Sequence, residues 1–204
     1  MLTSRELQVL DLFRKDILDS FTIREVMKKL DTKSYDWTYN TIKKLERENI
    51  IILKRKGQSR LCSINLEEQK SIMYLSLLEE LSALNKKIPN LSKILSLMPL
   101  DFHILIIAGS YADSTFTKKS DVDVVVIIDK KEEKTWMLNK LTNAGDLLIP
   151  NLHPYIFTNE EFIEMLINRE ENYGKEIGRK HIILSGAELY FKILREAIKR
   201  GYKF

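Results

Sequence analysis

Residues 104–129 read ILIIAGSYADSTFTKKSDVDVVVIID. An apolar run ends at Gly109-Ser110, a polar loop follows, and Asp121 and Asp123 flank one residue at the start of a second apolar run. In an extended strand, residues two apart point to the same face, so the two carboxylates project side by side, about 7 Å apart along the chain. Hard oxygen donors at that separation suit Mg²⁺ (or Mn²⁺), an ion that takes few protein carboxylates and keeps room for phosphate oxygens. A Gly-Ser turn just upstream can bring bare backbone N–H groups and a hydroxyl up to a phosphate. The stretch therefore predicts a site for a nucleoside triphosphate and its metal ions.

Gly109, Ser110, Asp121 and Asp123, with Ala112 and Ser120 also in keeping, resemble the motif of the DNA polymerase beta-like nucleotidyltransferase superfamily, and of the minimal nucleotidyltransferases in particular. That motif is a Gly-Ser, a short loop, then Asp-x-Asp opening a strand. The resemblance implies transfer of a nucleoside monophosphate from a nucleoside triphosphate to an acceptor hydroxyl, with release of pyrophosphate. Asp121 and Asp123 would be the catalytic, metal-holding carboxylates. Ser110, the backbone of Gly109 and Ser110, and Ser120 would hold the phosphates. Lys118 and Lys119, in the loop between, would either neutralise triphosphate charge or simply be solvated. The superfamily also places a third carboxylate on a later strand. The segment where it should fall, residues 151–158 (NLHPYIFT), contains no Asp or Glu. His153 stands near that position and can accept a proton near neutrality; Asp146, Glu160 and Glu161 flank the segment.

Upstream, Thr3-x-x-Glu6 and Thr22-x-x-Glu25 read as capping boxes opening two helices, and Ser34 caps a third running to about Glu48. Thr38, Ile42 and Leu45 give that third helix a narrow buried stripe. Two strands follow, around residues 50–53 and 61–64, joined by the basic turn KRKGQSR. Three helices and a β-hairpin over residues 1–66 resemble a winged helix-turn-helix domain of the kind found in small transcriptional regulators. The resemblance implies a recognition helix in the major groove of double-stranded DNA and a wing on the backbone or minor groove. Charge placement agrees: residues 33–60 hold eight Lys/Arg against three Asp/Glu, while the whole chain has a net charge of +4. The expected contacts are Tyr39, Asn40, Lys43, Lys44 and Arg47 on the helix, with Lys54, Arg55, Lys56 and Arg60 on the wing. Lysines would mainly meet phosphates, and Asn40 and Arg47 are the better base readers.

The chain of 204 residues suits one large or two small domains. One cysteine, Cys62, excludes an intrachain disulfide framework and fits a reducing compartment. With no apolar run of membrane-spanning length and no signal-peptide opening, the expectation is a cytoplasmic chain without a membrane partner. Residues 66–86 predict a helix with Ile72, Leu75, Leu78 and Leu81 or Leu84 on one stripe, either a homodimer seam or simple packing. A short helix over 91–97 leads to Pro99 and the first strand of the second domain. Helices are expected over 132–143, 160–169, 175–184 and 187–200, with Ser185-Gly186 as a break. Tyr173 and His181 are candidate base or ribose contacts.

The predicted fold class is mixed α+β: a winged helix over 1–66, a helical connector over 67–98, and a nucleotidyltransferase-like small mixed sheet flanked by helices over 99–204. Three functions fit. The first is a metal-dependent nucleotidyltransferase with a DNA-binding front end. The second is a DNA-binding regulator that binds nucleotide with little or no turnover. The third is an antitoxin-like minimal nucleotidyltransferase.

Overall fold

A computed structural model describes residues 2–98 and 103–203. Pro99, and with it the expected start of the second domain, lies outside the described residues. The chain forms two compact units, one of residues up to Leu78 with Lys203, the other Glu79–Tyr202. The fold is mixed α and β, with ten helices and two small sheets among the described residues.

In the first unit, helix α1 (Ser4–Lys15) leads through the two-residue strand β1 (Phe21–Thr22) to α2 (Ile23–Lys29) and α3 (Tyr35–Arg47). Both capping boxes form: the Thr3 and Thr22 hydroxyls accept from the N–H groups of Glu6 and Glu25, whose carboxylates accept from the threonine N–H groups in return. Ser34 caps α3, which buries Thr38, Thr41, Ile42 and Leu45. The hairpin β2 (Ile51–Lys56) and β3 (Ser59–Ile64) completes an antiparallel sheet in the order β1-β3-β2. Strand β1 has no sequence signal; it exists because Phe21 and Thr22 pair across to Cys62 and Leu61.

Cys62 is fully buried, and burial pushes its thiol up to about 12. The folded chain therefore keeps a proton that an unfolded chain releases near the ordinary thiol value of about 8.5. This contribution lowers stability as pH rises between those two values. A thiol-specific reagent at mildly alkaline pH should label Cys62 only as this unit unfolds; immediate labelling of the native chain would contradict its placement.

Helix α4 (Gln69–Leu84) follows. It buries Ser71, Ile72, Leu75, Ser76, Glu79 and Ala83. The expected continuation of the stripe through Leu81 or Leu84 is not what forms: both are exposed, as are Met73 and Leu77. The buried line passes instead through Glu79 and Ala83, each spaced four residues from its neighbour on that face.

The second unit continues with α5 (Leu91–Ser96), β4 (His103–Ile107), α6 (Gly109–Asp113), β5 (Val122–Ile128), α7 (Glu133–Gly145), β6 (Leu152–Thr158), α8 (Asn159–Ile167), α9 (Tyr173–Arg179), β7 (Ile182–Ser185) and α10 (Ala187–Lys199). The sheet order is β6-β5-β4-β7; β6 runs parallel to β5, and the other pairings are antiparallel. Its central strands are the two apolar runs that bracket the Gly-Ser turn, every residue of β5 except Asp123 being buried. One sheet face, with Leu105, Ile107, Val124, Val126 and Ile156, packs against Ile94, Met137 and Leu141 from the helices. Strand alternation turns Asp123, Val125 and Ile127 to the opposite face.

The helix expected over 175–184 is corrected. It ends at Arg179, Lys180 is extended (φ −139°, ψ 111°), and residues 182–185 form β7 on β4. The β-branched pair Ile182-Ile183 gains more from a sheet edge than from another half-turn of helix. Gly186 then adopts φ +78°, where a Cβ would stand 2.4 Å from the His103 carbonyl oxygen.

Candidate active site

Ala108 ends β4 by donating its N–H to the Asp123 carbonyl (3.0 Å), which draws the start of α6 over the start of β5. Gly109 sits there at φ +59°, and a Cβ built on it would lie 2.0 Å from Asp123 Oδ2. The Gly-Ser bend and the Asp123 carboxylate are therefore in contact, an approach open only to glycine on both conformational and steric grounds. Ser110 is half-buried in the same turn. Asp121 is exposed, one residue before β5, and Asp123 is the second residue of the strand.

Burial pushes the Asp123 carboxyl above the ordinary carboxylate value; His153 pulls it back, and the charges of Asp121 and Glu176 add smaller upward pushes. His153 pairs in register with Asp123 on β6, with Nδ1 3.5 Å from Asp123 Oδ1. Tyr155 Oη lies 3.3 Å from the same Nδ1, and the Tyr155 ring meets that of Tyr173 at a centroid distance of 4.6 Å. Among the described residues the buried Tyr173 hydroxyl has no hydrogen-bond partner, and burial raises its pKa. Lys180, on the segment leaving α9, reaches Asp113 of α6 at 3.6 Å. Tyr155 and Glu176 were not foreseen. Tyr155 was readable, two residues beyond His153 and hence on its face; Glu176 depends on how α9 returns to the sheet.

The loop is locked by its own side chains. Ser120 Oγ accepts from the Thr117 N–H (2.9 Å), and the Ser120 N–H donates to the Thr117 carbonyl (3.1 Å). Lys118 and Lys119 are exposed beside this lock. Asp146 lies beyond α7, and Glu160 and Glu161 open α8 at the far end of β6 from His153. Glu161 is bound by Lys134, and Glu160 pairs with Arg200. His181 is only slightly exposed, its Nε2 3.6 Å from Glu79 Oε1.

Among the described residues, no group of three or more His, Cys, Asp or Glu side chains is gathered to hold an ion. Two carboxylates without a closed cage suit Mg²⁺, which is typically held by one or two carboxylates together with substrate phosphates.

In the first unit, Asn40, Arg47, Lys54, Arg55, Lys56 and Arg60 are exposed, while Tyr39 and Lys43 are half-buried. Lys43 pairs with Glu46. Lys44 does not stand with them: its Nζ binds both Glu6 carboxylate oxygens, at 2.8 and 3.0 Å, tying α3 to α1. Arg55 and Arg60 are directly opposite across the hairpin, an arrangement of like charges that an anion would relieve. Arg24, unforeseen, lines a depression of about 660 Å³ with Tyr35, Tyr39, Gln58 and Arg60.

Residues 91–177 match the family model described as a nucleotidyltransferase domain. The match supports the DNA polymerase beta-like nucleotidyltransferase superfamily for this stretch, nucleotidyl transfer as its general function, and a nucleotide substrate. No curated protein matches the chain, and no solved structure does. No described helix is long and apolar enough to cross a membrane.

Proposed function

We propose that the second unit transfers a nucleoside monophosphate from a nucleoside triphosphate to an acceptor hydroxyl, using Mg²⁺ or Mn²⁺, and that the first unit is a winged helix that binds duplex DNA. The observation that supports the first part is the contact between Gly109 and the Asp123 carboxylate, the bend that would hold phosphate beside the acid that would hold metal. When bound, the metal ions supply charge neutralisation at the attacking and leaving oxygens. Asp121 and Asp123 would hold them; Ser110 and the backbone N–H groups of the bend orient the phosphates; Lys118 and Lys119 offset charge at the loop. Positioning and electrostatic relief are the main resources for this chemistry. Labelled nucleoside triphosphates with either ion should give transfer or pyrophosphate release. Their complete absence, with several acceptors offered, would remove the enzymatic reading.

A specific observation favours a second reading. The residue paired with Asp123 on β6 is His153, which can take a proton but adds no third negative charge for metal ions. A regulator that binds nucleotide and metal with slow or no turnover follows from that substitution. Tight nucleotide binding without pyrophosphate release would select it.

For the first unit, duplex affinity should fall steeply with salt, and each phosphate-contacting lysine removed should flatten the log–log slope by about one. Lys54→Ala and Lys56→Ala are expected to behave this way. Lys44→Ala should instead lower stability and leave the slope unchanged, because its charge is already spent on Glu6. Retention of DNA that ignores salt would argue against this role. The exposed Met73, Leu77, Leu81 and Leu84 side of α4 offers a surface for a second copy of the chain, as a dimeric DNA binder requires.

A further inference from the structure

Phe116 is an unusual residue to find in a polar loop. Its ring lies parallel to that of Tyr111, with centroids 4.5 Å apart and planes 5° from parallel. Tyr111 is buried and belongs to the core, whereas Phe116 is 48% exposed, so one ring of the stack is anchored and the other meets solvent. The backbone is fixed on both sides of the ring. Thr115 donates its N–H and its hydroxyl to Asp113 Oδ1, and the Thr117 N–H donates to Ser120 Oγ. Phe116 is thus held out by two local locks. Beside it is a depression of about 480 Å³, lined by Tyr111, Phe116, Thr117, Lys118, Ile149 and Pro150. Ile149 is 93% exposed there.

The chemistry of this shelf selects its occupant. A half-exposed ring stacked on a buried one offers a stacking platform for a planar π-system. Lys118 puts a cation at its rim, and Tyr111 follows Gly109-Ser110 by one residue on the same short helix. A ligand that joins a flat aromatic ring to a polyanion matches all three features, whereas an apolar peptide would use neither the cation nor the parallel geometry. We infer that Phe116, backed by Tyr111 and flanked by Ile149, is the stacking platform for the nucleobase of the bound nucleoside triphosphate. This deepens the nucleotidyl-transfer reading and rests on it. Stacking without edge-specific hydrogen bonds tolerates every base, so the shelf would contribute affinity with little base preference.

The test compares the four ribonucleoside triphosphates with ribose 5′-triphosphate, which lacks a base, by calorimetric titration in Mg²⁺. The parent chain should bind the nucleotides about tenfold or more tightly than the base-less probe. Phe116→Leu should erase that difference while leaving the base-less affinity unchanged, and Phe116→Trp should retain it. Matching thermal melts of the variants keep folding out of the comparison. Equal parent affinity for nucleotide and base-less probe, or a difference that survives Phe116→Leu, overturns the platform and leaves the phosphate site standing. Binding of neither probe overturns both.

Discussion

Asp123→Asn is expected to cut nucleotidyl transfer by at least about a hundredfold, the scale on which loss of one charged or dipolar group aimed at a reacting centre is felt. The same change should leave the fold intact or slightly steadier. Asp123 is partly withdrawn from water, and Asp121 and Glu176 add like charge, so its ionised form is held at a cost to folding. A neutral amide of nearly the same shape removes that cost. Loss of activity with an unchanged or raised melting temperature is therefore the expected signature. Unfolding of the variant would show that the carboxylate is structural, and full activity would remove it from the chemistry. Asp121, exposed at the mouth of the strand, should show the activity loss without the gain in stability.

The largest expected effect on stability lies elsewhere, at Glu79. Its side chain is almost wholly buried, with Oε1 3.6 Å from Nε2 of the nearly buried His181. His181 Nδ1 stands 2.7 Å from the Ile177 carbonyl oxygen, which can only accept, so that nitrogen carries its proton there. Tyr190 packs its ring against the imidazole at 4.8 Å. Truncating a side chain this deeply buried empties its place in the packing beside the imidazole, and Glu79→Ala should cost about 3 kcal/mol. Urea unfolding of the full chain measures it. The double variant with His181→Ala should lose clearly less than the sum of the single losses, because the partners share one interaction. A loss for Glu79→Ala within the range of an ordinary surface change would show that water already satisfies the carboxylate.

What the sequence revealed and what it hid divide along one physical line. Local signals were legible: both capping boxes, the Ser34 cap, the apolar runs of β4 and β5, and the glycine-serine turn between them all depend on residues close in the chain. Signals that depend on distant partners were not. Strand β1 exists only through its pairing with β3, and β7 only through β4. Helical periodicity alone also misjudged α4, where Glu79 rather than a leucine continues the buried side because His181 waits for it. At the site, Asp121, Asp123 and the Gly-Ser bend were visible, and so was the lack of any Asp or Glu in residues 151–158. The Tyr155–Tyr173 contact and the nearness of Glu176 to Asp123 were not, since α9 reaches the sheet only after the chain has turned back.

The absent side chain at position 109 has a diagnostic consequence. An ångström-scale gap is filled there by an acidic oxygen rather than by a methyl group. Even alanine, the mildest replacement, would have to push that oxygen off its aim. On the function proposed above, a sister sequence keeping both aspartates but bearing another residue at this point should transfer more slowly, because its acid must turn aside to make room.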